Sequence, residues 1–171
     1  MPIQPSPVPS HSSAASALHF MPVEWDLLIR LPRRVLVAAT SAEHDSIRHT
    51  VAEGLAGIEA IAAGRASPSR LVRDVVTAIY AEPDEDAPTA EEFTDPHTGI
   101  AGVLAECRVA TRLLADRTPA DDAAAYRRWL SEIASTVCAA ARTGGVLGFG
   151  GIQVSAAEQR FLDDLEAALA P

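Results

Sequence analysis

Asp45, His49 and Glu53 recur at every fourth residue. On a helix that spacing stacks one imidazole and two carboxylates along a single face, a donor set that a divalent cation accepts. The same wheel puts Ile47, Val51, Leu55 and Ile58 on the opposite side. If those apolar residues face the core, the trio faces water and is an ordinary charged stripe. That reading is favoured, with metal binding as the alternative. No Glu-x-x-His occurs anywhere, so the carboxylate-bridged two-metal pattern of helical bundles is missing. His44, beside Arg48, falls near the apolar face and reads as a half-buried histidine.

A second candidate is the tract Gly144-Gly145-Val146-Leu147-Gly148-Phe149-Gly150-Gly151, followed by Ile152-Gln153-Val154-Ser155-Ala156-Ala157-Glu158. Backbone N–H groups at Gly148, Gly150 and Gly151, with the helix start at Ser155, offer a small-anion or ligand site. A phosphate-binding loop needs Lys and Ser/Thr directly after its last glycine, where Ile152 and Gln153 stand. The apolar residues between the glycines suit packing over the end of a bundle better than ligand capture. The acids of Asp84–Glu92 lack the Asp, Gly and Glu register of a helix-loop-helix calcium site. Cys107 and Cys138 sit inside helical patterns, form no metal motif and read as small buried hydrophobes. No Gly-x-Ser-x-Gly elbow is present. No catalytic residue is assigned.

The elements that position these groups are helical. The 171 residues include 33 Ala, while Lys and Asn are absent, so every basic side chain is Arg. The missing Lys and Asn suggest a GC-rich bacterial genome. Ala, Leu, Arg and Glu favour helix, and no run alternates long enough to build a sheet. The fold class is all-α, a bundle of five or six amphipathic helices with a glycine-rich loop before the last. Net charge is −9. Nucleic acid is therefore excluded as a partner, since the Arg33-Arg34 and Arg127-Arg128 pairs are too small to form a phosphate-neutralising patch. No run approaches the ~18 apolar residues of a membrane span. No basic residue precedes Arg30, which argues against a secretory signal and places the chain in the cytoplasm.

Residues 1–22, with five Pro and five Ser, read as a flexible tail, and 23–171 as one helical domain. The first helix carries Trp25, Leu28, Ile29, Leu31, Val35 and Leu36 on one face, with Pro32 expected to break or kink it near Leu31. The Trp25–Ala39 arginines are expected to face water rather than a membrane surface. Thr40-Ser-Ala-Glu43 forms a capping box for a second helix, buried through Ile47, Val51, Leu55, Ile58 and Ile61 and ended by Gly64. Ser67-Pro68 opens a third helix with Leu71, Val72, Val75, Val76 and Ile79 inside. An acidic connection follows over 81–99. A fourth helix over about 99–116 buries Ile100, Val103, Leu104, Cys107, Thr111 and Leu114. Val109 and Leu113 on its back suggest a central position. Thr118-Pro119 starts a fifth helix with the cleanest stripe: Tyr126, Trp129, Leu130, Ile133, Val137 and Ala141. Ser155-x-x-Glu158 caps a sixth, carrying Phe161, Leu162, Leu165 and Leu169.

The stretches Tyr126 to Val137, Gly144 to Gly151 and Val154 to Glu158 resemble an uncharacterised group of bacterial all-helical proteins, with Trp25-x-x-Leu28-x-x-x-Pro32 adding weakly. That resemblance implies a helical fold and no activity. Gly151, Val154, Ser155 and Glu158 are also similar to the helical domains of tellurite-resistance B-type proteins, whose corresponding acids imply metal binding. Gly150 stands here where that motif has Asp, and the motif occurs once. The expected function is a non-catalytic cytoplasmic interaction or assembly protein, self-associating or binding another protein. A metal- or small-ligand-binding helical domain is the alternative. No cofactor is required, and a divalent metal is the one that the alternative would use.

Overall fold

The computed structural model describes residues 19–42, 47–81, 95–143 and 155–171. Six helices make up this part: α1 Pro22–Ser41, α2 Ile47–Ala63, α3 Arg70–Ala81, α4 Pro96–Arg117, α5 Ala120–Thr143 and α6 Ala156–Leu169, with a 3₁₀ turn Gly64–Ala66 after α2. Among the described residues there is no strand. The protein is an all-α bundle.

The α5 stripe takes the middle. Tyr126, Leu130, Ile133 and Val137 have no exposed surface, and α5 packs against α1, α2, α3, α4 and α6. The sequence had suggested α4 for that place. Instead α4 lies on the flank against α1, α5 and α6, with Val103, Cys107 and Leu114 inward and Val109 outward. Leu113 is only partly buried and packs on the core.

Pro32 does not break α1, which runs unbroken on both sides of it. Proline has no N–H to donate to the carbonyl four residues back, that of Leu28. Tyr126 of α5 fills the role: its buried hydroxyl donates to the Leu28 carbonyl oxygen at 2.8 Å. Helix α1 carries its weak turn into the core and α5 repairs it. One turn on, the Arg33 guanidinium donates to the carbonyl of Ile79 in the last turn of α3 at 3.1 Å. Arg34 forms a 2.9 Å ion pair with Glu106 of α4, and Arg30 pairs with Asp26. The α1 arginines thus tie helices together or pair along their own helix.

Helix ends follow local chemistry, with some shifts from expectation. Phe20, placed in the tail by composition, is buried and stacks on Trp25, with ring centroids 5.9 Å apart. The hydroxyls of Thr40 and Ser41 donate back to the Val37 carbonyl in the last turn of α1, and Glu43 of the expected capping box lies outside the described residues. At α3 the capping hydroxyl is Ser69 rather than Ser67. It accepts from the Val72 N–H and donates to the Asp122 carboxylate at 2.6 Å, joining the starts of α3 and α5. Asp95 caps α4 through the His97 N–H and the Thr98 hydroxyl, and these bonds hold its carboxyl below the usual range. Ser155 and Glu158 form the expected reciprocal box at α6.

Tyr126→Phe leaves the Leu28 carbonyl without the hydroxyl and should cost about 1–3 kcal/mol of unfolding free energy. In a Pro32→Ala background the new N–H can serve that carbonyl, so the cost should shrink. A double-mutant cycle by chemical denaturation measures the difference, expected at ~1 kcal/mol. Equal costs in both backgrounds would mean that the two residues are not coupled.

Candidate functional site

Helix α2 lies on the bundle with its small residues inward. A Cβ added to Gly57 would stand 2.5 Å from Leu36 Cδ1 and 2.9 Å from Val137 Cγ2. One added to Gly64 would meet Val76 Cγ2 at 2.8 Å and Trp129 Cε2 at 2.9 Å. The Trp129 indole N–H reaches the Ala60 carbonyl at 3.2 Å, a bond that needs the α2 backbone close to α5. Gly57, Ala60, Ile61 and Gly64 fall on one face, separated by three, one and three residues. Glycine inside a helix costs about 1 kcal/mol relative to alanine. Here its missing side chain admits Leu36 at one end and Trp129 at the other.

Close approach on that face turns the larger apolar face outward. Val51 is 68% exposed, Leu55 58% and Ile58 54%. These three were expected to anchor α2 in the core, and the structure overturns that expectation. Of the described members of the expected set only Ile61 is buried, and the Ile47 side chain lies outside the described residues. The reversal also reaches the charged trio. Glu53, expected in water, is buried on the inner side. Asp45 and the His49 side chain lie outside the described residues, as does His44. Among the described residues no group of three or more His, Cys, Asp or Glu is placed to hold a metal.

Gly148, Gly150 and Gly151 also lie outside the described residues, as does the acidic segment 82–94. Ser155 is described, and both its hydroxyl and its backbone N–H are engaged with Glu158. Two grooves of about 330 Å³ open on the surface. The first, between the end of α2 and α5, is lined by Ala60, Gly64, Ser67, Arg128 and Trp129, and its indole N–H is already donated to Ala60. The second holds Arg70, Arg117 and Asp122. Arg117 is bound to Glu24 and the His19 carbonyl, Asp122 to Ser69, and Arg70 to Asp74. Their charges are spent on holding the fold.

Cys107 is buried beneath α5, and loss of solvent, reinforced by Glu106, raises its pKa from 9.0 to about 12. Burial also pushes the Tyr126 phenol well above its ordinary value, and Cys107 adds to the effect. Burial thus keeps both groups in their protonated forms near neutral pH. No helix among the described residues is long and apolar enough to cross a membrane. No family model matches the chain, and neither curated proteins nor solved structures yield a match. Among the described residues, the outer face of α2 gathers three exposed large apolar side chains and is the strongest candidate site.

The buried thiol and phenol set an alkaline limit on stability. Both keep their protons in the folded state at pH values where the unfolded chain releases them. Their contribution is therefore complete below about pH 9 and is lost as pH rises toward 12. The slope for Cys107 alone should reach about 1.4 kcal/mol per pH unit. Melting curves between pH 8 and 11 should fall steadily, and Cys107→Ala should flatten the decline while lowering the plateau. An unchanged slope in that variant would refute the assignment.

Proposed function

We propose that this chain is a non-catalytic helical interaction protein of the cytoplasm, and that the outer face of α2 is its contact surface. One observation carries the reading. Val51, Leu55 and Ile58 form a continuous apolar stripe more than half exposed, on a helix whose opposite face is already committed to the core. Single exposed apolar residues are ordinary, but three on consecutive turns of one face are a patch of the kind that marks interaction sites. The polar groups support the same reading. In the groove of Arg70, Arg117 and Asp122, each charged group is bound to a neighbour, Asp74, Glu24 and Ser69 respectively.

Leu55→Glu tests it. On a free surface the change should move the melting temperature by no more than about 2 °C, since exposed substitutions stay within ~0.5 kcal/mol. Leu28→Ala, in the core, should lose about 2–5 kcal/mol and melt several degrees lower. If Leu55→Glu melts as low as Leu28→Ala, the stripe belongs to the interior and the reading fails.

A further inference from the structure

The α2 stripe is self-complementary, and we infer that its occupant is a second copy of this chain, paired antiparallel along α2 about a two-fold axis. The inference rests on the interaction reading above and names the partner. Val51, Leu55 and Ile58 are spaced by four and three residues, the alternation that keeps a seam on one side of a helix over successive turns. A two-fold axis between residues 54 and 55 sets Val51 opposite the partner's Ile58 and Leu55 opposite the partner's Gly54. Large meets small at the centre. A Cβ on Gly54 would find nothing within 4 Å, so there is open space where a leucine from the second helix can sit. Gly54 thus differs from Gly57 and Gly64, whose missing side chains are filled from within the fold.

The area fixes the strength. Three side chains exposed to this degree offer on the order of 300 Å² per copy, the size of a functional surface patch. A standard interface buries about 800 Å² per partner, so the pair is a weak, reversible dimer rather than an obligate one.

Sedimentation velocity on the full chain over about 5–500 µM should show a monomer–dimer equilibrium, with Leu55→Glu weakening it at least tenfold. Register is read by mild oxidation of variants carrying one added cysteine beside the buried Cys107 and Cys138. Val51→Cys mixed with Ile58→Cys should give a disulfide-linked pair. Val51→Cys alone should not, because its two copies stand about 10 Å apart along the axis. The buried Cys107 and Cys138 should stay unlinked in the unsubstituted chain. A dimer indifferent to Leu55→Glu, or one linked as readily by Val51→Cys alone, overturns the antiparallel α2 pairing. A chain that stays monomeric throughout also overturns it. In that case the melting temperature of Leu55→Glu separates two causes. If it is unchanged, the stripe is open to a different protein and the interaction reading stands. A core-like fall means that the chain's own residues cover the stripe, and both readings fail.

Discussion

The bond from the Tyr126 hydroxyl to the Leu28 carbonyl is the constraint on which the bundle's arrangement depends. A proline in the middle of a helix removes one hydrogen bond and crowds the preceding turn, a defect worth about 3 kcal/mol when nothing compensates. On the surface, water would satisfy the carbonyl. Here Leu28, Leu31 and Val35 are wholly buried, so the defect lies inside the core. Its donor must come from another helix at one definite height. That requirement fixes α1 against α5 in register as well as in distance. Trp129, three residues further along α5, meets the Tyr126 ring edge-on and then fixes α2 through Ala60. A single turn of α5 therefore positions the two helices that flank it.

The placement of α2 follows from the close end of that arrangement. Trp129 needs room where it reaches the α2 backbone, and Gly64 supplies it; Leu36 and Val137 need the same at Gly57. Once both contacts are made, the rotation of α2 about its axis is set. Val51, Leu55 and Ile58 cannot turn inward without driving larger atoms into those positions. Burying three aliphatic side chains favours the opposite rotation by several kcal/mol, at about 1.5–3 kcal/mol for each fully buried residue. The observed rotation gains the indole hydrogen bond and tight contacts with α1, α3 and α5. It leaves Val51, Leu55 and Ile58 exposed on the outer face of α2.

Much of this fold was legible in the residue pattern. The six helices follow from periodicity, though not all of their ends, and the buried faces of α3, α5 and α6 match their stripes because large apolar residues there have no small-residue rival. Reading failed where two apolar faces competed on one helix. On α2, weighing side chains by size selects Val51, Leu55 and Ile58. The true signal was Gly57, Ala60 and Gly64, whose worth depends on which bulky residues a distant helix brings against them. Pro32 misled for the same reason: its penalty is local and legible, while its remedy lies 94 residues away in Tyr126. The capping serine of α3 was legible in kind and shifted in place: Ser69 caps the helix and bonds Asp122, while the Ser67 hydroxyl accepts from the Ser69 N–H.

The same asymmetry separates the candidate site from the groups that first suggested chemistry. A residue type that can ligate or catalyse is also one that can cap, pair or bridge, and in a bundle this rich in alanine few other side chains can hold the helices in register. Arg33, Arg117, Ser69 and Asp122 are all used in that way. Glu53 is drawn inside with the small-residue face of α2 rather than set in water beside a partner histidine. Among the described residues, three of the exposed large apolar side chains gather on the helix that the core had to accept by its smallest residues. A bundle assembled under that constraint uses polar side chains such as Arg33, Ser69 and Asp122 as structure and leaves an apolar stripe of α2 on its surface.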